Sequence, residues 1–305
     1  MIKIQSIIPL LAVSLPSIAT SAVLNVTPGV NNAPIAEVTF NNGGNLVTQT
    51  SSQPTTVNNQ TSTAVAIENI KLTSGVTLDV FNFSSVNVNL QGLATPAGSS
   101  ISNIGVLQSD GTQVNLNGPG GANAFSSALA ASFQNSDVNN YLYYDNTVNP
   151  PAATIDFSVD FLFSLEAADY LLVQERHGNT FFEITPLDIS GNPIAGANVL
   201  KFGGSGGLPQ SVYDWNSGFS SSSYQSAQTY GFSVAEVSKF FEGTGIAEVP
   251  IFGFSIDNDG QADVKFYGAS DNSFTNNPQN PDFVPEPSSA ILVFLGLGLI
   301  SRRRR

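Results

Sequence analysis

The stretch TIDFSVDFLFSLE, residues 154–166, decides how this chain reads. Its odd positions, Ile155, Phe157, Val159, Phe161, Phe163 and Leu165, are all apolar, while Asp156, Ser158, Asp160 and Glu166 fall on even ones. Side chains on a strand alternate between faces with a period of two, so the pattern predicts a half-buried β-strand with one face on a core. Similar stretches lie on both sides of it. Residues 76–90 alternate less cleanly, residues 170–175 and 180–185 read as a hairpin turning at His177-Gly178-Asn179, and residues 263–267 read as a late strand. Turn chemistry recurs at Gly118-Pro119-Gly120-Gly121, Ser190-Gly191-Asn192-Pro193 and Gly203-Gly204-Ser205-Gly206-Gly207. Strand and turn in succession, without interleaved helices, predict a mainly β body, an antiparallel β-sandwich or jelly roll.

One or two short helices are the expected exceptions. Ser233-Val234-Ala235-Glu236 fits a capping box, with Val237, Phe240 and Phe241 following at helical spacing before Gly243. Residues 124–133 carry Ala and Leu at several positions and form the other candidate. Both are short enough to plug an end of a sandwich. Residues 41–63 hold 17 Asn, Gln, Ser or Thr among 23, too little apolar payload for a core strand, so a long surface loop or an extended edge region is expected there. No internal repeat of solenoid length is visible.

The chain has 305 residues, enough for one large β-domain or two ordinary ones. Cysteine is absent, which excludes a disulfide framework and a thiolate metal site. Only 11% of residues are charged, a composition typical of extracellular β-rich proteins. Five of the ten basic residues are terminal, Lys3 and the run Arg302, Arg303, Arg304 and Arg305. Without them, five cations face 23 acidic residues, a net charge of −18. Such a body repels nucleic acid and anionic lipid, so no nucleic-acid partner is expected.

Both termini carry targeting chemistry. The N-terminus has a cation at Lys3, an apolar stretch over residues 4–15, and small residues at Ala19, Ser21 and Ala22. That order predicts a secretory signal peptide over residues 1–22, cut after Ala22, and so passage through a secretion translocon. Pro9 and Pro16 argue against a long spanning helix. At the other end, Ala290 to Ile300 is an eleven-residue run without a polar side chain, followed by the four arginines. As a C-terminal hydrophobic helix it spans roughly 17 to 22 Å, short of a hydrocarbon core of about 30 Å. The arginines would stay on the cytoplasmic side, leaving Pro285-Glu286-Pro287 outside.

Pro285, Glu286 and Pro287, the apolar run, and Arg302 to Arg305 together resemble the PEP-CTERM sorting signal of bacterial exosortase substrates. The resemblance covers the tail from Pro285 to Arg305. It implies transient insertion in the inner membrane, cleavage near Pro285-Glu286-Pro287 by an exosortase, and delivery to the cell surface or extracellular matrix. DYLLVQERHGNTFFEITPLDISGNPI, residues 169–194, also looks like a stretch of some exosortase-dependent surface proteins.

Catalytic constellations are thin. His177 is the single histidine, so Ser-His-Asp or His-metal chemistry has one route, through a residue that reads as a turn. Asp156 and Asp160 share a strand face but stand about 13 Å apart, beyond the roughly 5 to 9.5 Å of glycosidase pairs. The glycine run 203–207 lacks the Lys-Ser/Thr of a phosphate loop. Asp257, Asp259 and Asp263 flank Gly260 and resemble part of an Asp-rich calcium loop, although Ser255 stands two residues before the first carboxylate and Phe266 where an EF-hand Glu would fall. Calcium is the one candidate ion; the competing reading is an Asn-Asp-Gly hairpin turn.

These observations divide the chain into a signal peptide (1–22), a β-sandwich body (23–270), a Pro-rich linker (271–284) and a sorting and transmembrane segment (285–305). The expected role is that of an exported, non-enzymatic surface or matrix protein, structural or adhesive, with no catalytic residues. The alternative is a carbohydrate-binding module for surface glycan or exopolysaccharide, stacking sugars on Trp215, Tyr213 and Tyr224.

Overall fold

A computed structural model describes residues 21–26, 31–50, 65–94, 103–108, 112–144, 154–176, 180–203, 230–258 and 261–271. The elements in chain order are β1 (Val23–Val26), β2 (Ile35–Asn42), β3 (Asn45–Thr50), β4 (Val65–Leu72), β5 (Thr77–Phe81), β6 (Asn87–Ala94), β7 (Ile104–Leu107), β8 (Gln113–Asn115), α1 (Gly121–Phe133), β9 (Tyr141–Tyr144), β10 (Thr154–Leu165), β11 (Tyr170–Arg176), β12 (Phe182–Leu187), β13 (Val199–Phe202), β14 (Tyr230–Glu236), β15 (Ile251–Asp257) and β16 (Val264–Asp271). A single 3-10 turn, Val237–Phe240, follows β14. The chain is mainly β, as its alternation predicts.

Three sheets result. Sheet one has the order β1-β13-β12-β15-β10-β6, sheet two the order β14-β11-β16-β5-β4-β2-β3, and a ribbon the order β8-β7-β9. Every strand pairing between described residues is antiparallel except β1 on β13, which is parallel. Sheets one and two share a buried cluster that includes Phe157 and Phe254 from one and Leu171, Val173 and Phe266 from the other. Rings of Phe182 and Phe266 meet across it edge-on, centroids 5.7 Å apart. Sheet two also buries its opposite face: Phe40, Ile70, Leu172 and Tyr267 pack with Leu107, Tyr141 and Tyr143 of the ribbon. Strands covered on both faces lose the polar half of their alternation, which is why Tyr170 to Val173 of β11 is an unbroken apolar run.

Helix α1 confirms the helix expected at residues 124–133 and begins three residues earlier. Phe125, Leu129 and Phe133 are buried at a spacing of four, one face of a 3.6-residue period. Phe133 reaches both large sheets, its centroid 6.3 Å from Phe157 and 5.4 Å from Phe266.

Four local expectations are corrected. Ser233 to Glu236 does not start a helix: these residues end β14, with Ser233 to Glu236 opposite Val173 to Tyr170 of β11. Ladder pairing and burial of Val234 and Ala235 override the local capping pattern. The strand expected over residues 76–90 is split into β5 and β6, which lie in different sheets. β11 and β12 are likewise no hairpin, because β14 and β16 occupy both edges of β11 and the chain crosses to sheet one. The passage from β15 to β16 crosses between sheets in the same way, so Asp257 to Asp263 is not a hairpin turn. Within the polar region, residues 45–50 form edge strand β3, closed onto β2 by Gly43 and Gly44 at φ +59° and +93°. Positive φ at both central residues is what a two-residue hairpin turn of type I′ requires. Residues 51–64, the expected turn at His177, Gly204 to Gly207, and residues 1–20 of the expected signal peptide lie outside the described residues.

Candidate binding cleft at the β10 bulge

The alternation of β10 holds as far as Phe161 and then breaks. Opposite β15, Asp160 pairs with Gly253 but Leu165 pairs with Ile251, so five steps on one strand face two on the other. The surplus residues leave the ladder, and a bulge of this kind re-aims side chains. Phe161 stays buried, stacked on Phe83 at 4.5 Å. Leu162 and Phe163 turn outward, 62% and 47% exposed, and the Leu162 N–H donates to the Ser84 carbonyl at 3.2 Å.

A rigid turn faces the bulge. Asp188 Oδ1 accepts from the N–H groups of Ser190 (2.8 Å) and Asn192 (3.0 Å), while the Gly191 N–H donates to the Asp188 carbonyl at 2.9 Å. The turn holds Ile189 in solvent at 77% exposure. Between turn and bulge lies a cleft of about 430 Å³, with Ser85, Asn87, Asp160, Leu162, Asp188 and Ile189 on its walls. Ser85 is held at φ +53°, a left-handed conformation that costs a non-glycine residue energy and that clusters at functional sites. Asp160 accepts at Oδ2 from the Asn89 amide at 3.0 Å, and partial burial pushes its pKa up despite that bond. A second depression of about 350 Å³ shares Asn87 and Asp160 and reaches Ser126 and Ser127 of α1. Apolar shelves beside amides, hydroxyls and carboxylates suit a ligand with both CH faces and hydroxyl groups.

The sequence-predicted site residues lie elsewhere. Asp257 is exposed at the end of β15. Asp263 is buried and accepts from the backbone N–H of Tyr144 at the end of β9. Between them Asn258 staples the crossover: its Nδ2 donates to the Tyr144 hydroxyl (3.2 Å) and the Ala262 carbonyl (3.0 Å), its Oδ1 accepts from the Ala262 N–H (2.8 Å), and its own N–H donates to Asp156 Oδ1 (3.1 Å). Burial raises the Tyr144 pKa well above that of an ordinary phenol, with a further push from Asp263 and Asp156. Among the described residues no group of three or more His, Cys, Asp or Glu side chains could hold a metal ion. Asp259, Tyr213, Trp215, Tyr224, Pro285, Glu286, Pro287 and Arg302 to Arg305 lie outside the described residues.

Sequence reasoning missed a buried polar cluster on the ribbon side of sheet two. Lys265 is fully buried, and its Nζ donates to Asn135 Oδ1 at 2.8 Å and to the Asp137 carbonyl at 2.6 Å. It also lies 5.1 Å over the Tyr267 ring. Burial pulls its pKa down to about 7, opposed by the Asp137 charge. The Tyr267 hydroxyl donates to Gln174 Oε1 at 2.7 Å, and Gln174 Nε2 donates to the Val138 carbonyl at 2.7 Å. Lysine between valine and phenylalanine in β16 was the one available signal, and alternation assigns it to solvent. These hydrogen bonds cross-link sheet two to the segment after α1.

Comparison with known proteins adds one finding about the tail. The PEP-CTERM protein-sorting motif matches residues 283–305. No curated protein and no solved structure matches the chain. The apolar run and arginine cluster that the sequence singles out thus fall inside a PEP-CTERM sorting motif, and the chain is one marked for exosortase-dependent sorting to the cell surface.

Proposed function

We propose that the chain is an exported, non-enzymatic protein of the cell surface or extracellular matrix, a β-sandwich with a structural or adhesive role. It passes the secretion translocon on its signal peptide, anchors transiently through residues 285–305, and is cut at Pro285-Glu286-Pro287. The sorting motif at residues 283–305 carries this reading. The expected result is a mature protein whose intact mass, from an exosortase-competent host, lacks the segment after Pro287. A C-terminus still ending at Arg305 in that host would refute the processing step.

A second reading, a carbohydrate-binding module for surface glycan or exopolysaccharide, is favoured by the cleft at the β10 bulge. Leu162 and Ile189 offer apolar shelves to the CH faces of sugar rings, while Asn87, Asp160 and Asp188 are placed to bond hydroxyls. Loss of one shelf removes contacts of about 1.4 kcal/mol, so Ile189→Ser should weaken retention on the host's exopolysaccharide about tenfold. Trp215→Ala run in parallel assigns the binding to the cleft or to the aromatic loop. Equal retention by wild type and both variants would leave the module reading without a site.

A further inference from the structure

We propose that the signal peptide is cut between Ala19 and Thr20, three residues before the bond that charge and hydropathy order first suggest. This rests on the export reading above, and it follows from what the folded body does with Ala22. β1 is a four-residue edge strand, parallel to β13 with Val23 opposite Val199. Its ladder reaches one residue further back, where the Val199 N–H donates to the Ala22 carbonyl at 2.9 Å. The Ala22 N–H donates to the side-chain oxygen of Asn198 at 3.3 Å.

Asn198 is the hub of that corner. It is 2% exposed, its Nδ2 donates to the carbonyls of Lys239 (3.1 Å) and Glu242 (2.8 Å), and its own N–H donates to the Phe240 carbonyl (2.7 Å). One buried amide thus ties the start of β1 to the 3-10 turn after β14. Cutting after Ala22 would remove the carbonyl that receives the Val199 N–H and the amide that meets Asn198 Oδ1. It would also place a new ammonium on Val23, the first residue of the strand. A buried acceptor that loses its donor is costly, and so short a strand has few ladder bonds to hold it.

The sequence admits both cuts. Cleavage sites of this type need small side chains at the residue before the bond and two residues earlier. Thr20 and Ala22 meet that need, and so do Ser17 and Ala19. Only the earlier cut leaves the residues the fold uses. Water adds across the Ala19–Thr20 amide, giving a carboxylate on Ala19 and an ammonium on Thr20, and Thr20-Ser21 then keeps that charge off the sheet edge.

The test is the intact mass of the secreted full-length chain and of two variants, Ala19→Leu and Ala22→Leu. Leucine just before the bond blocks cleavage, and Ala22 is exposed, so leucine there disturbs no packing. A native start at Thr20 is expected, unchanged in Ala22→Leu and lost in Ala19→Leu. A native start at Ala22 or Val23, or loss of processing in Ala22→Leu, overturns the proposal while leaving export intact. A chain that keeps Met1 overturns export and the proposal together. Purified chains starting at Thr20 and at Val23 supply a second readout: the shorter should melt about 2 to 4 °C lower or more, and equal melting would count against the role of Ala22.

Discussion

Stability should climb as pH is raised from 7 towards 10, where most proteins have already passed their optimum. The cause is Lys265, whose pKa falls from 10.5 to about 7 on burial. Below pH 7 the side chain is protonated in folded and unfolded chains alike, and the full penalty of burying the charge is present. Between about 7 and 10 the unfolded chain binds a proton that the folded chain has released, so the penalty fades at up to about 1.4 kcal/mol per pH unit. Above about 10 the slope turns over, because the buried phenols of Tyr144 and Tyr267 keep protons that the unfolded chain gives up. The charged group facing Lys265 is Asp137, and its attraction sets how much of the fall survives. Urea titrations at pH 7, 8.5 and 9.5 read the slope, and Lys265→Met should flatten it. A wild-type midpoint that is level or falling across that range would show the ammonium to be better compensated than its burial implies.

Phe133→Ala should be the most damaging single truncation in the core. The ring is fully buried and touches Phe157 of sheet one and Phe266 of sheet two, so its loss opens a cavity where helix and both sheets meet. Large-to-small changes at aromatic core sites cost about 3 to 5 kcal/mol, and the upper end suits a site whose walls are three separate elements. Phe133→Leu refills most of the space and should recover more than half of the loss. Chemical denaturation of both variants at fixed pH measures this. A cost under about 1 kcal/mol for the alanine variant would mean that α1 collapses into the gap.

The two effects mark what the sequence shows and what it hides. The ring at Phe133 belongs to an Ala/Leu-rich segment that reads as a helix, and the helix is there. Lys265 sits in a strand that is also correctly read, but its hydrogen-bond partners Asn135 and Asp137, and Gln174 opposite it in the ladder, are distant in the chain. Turn residues behave alike. Gly and Asn after β11, and Asp, Asn and Gly after β15, are residue types that suit a hairpin and a crossover between sheets equally well. Which one forms depends on whether the edge of the preceding strand is already occupied. The cleft was hidden for the same reason: the odd positions of β10 stay apolar through Leu165, Leu162 is the one apolar residue on the other face, and only the register against β15 shows where the ladder slips. The sorting tail was legible in full because its message is written in local order, with no partner needed to read it.

The place of β16 gives the chain a clock. It is the last of the described strands, yet it fills the slot between β11 and β5 in the interior of sheet two. A chain threaded outward from its N-terminus delivers that strand last. Until it arrives, sheet two consists of two separate pieces, each with an open inner edge able to template aggregation. Pairing across such sequence distances is slow, and the sorting motif begins at residue 283, close behind Asp271. On the export route proposed above, tethering at the membrane would hold the molecule in place during the interval when its sheet is least protected, and release would follow closure of the gap.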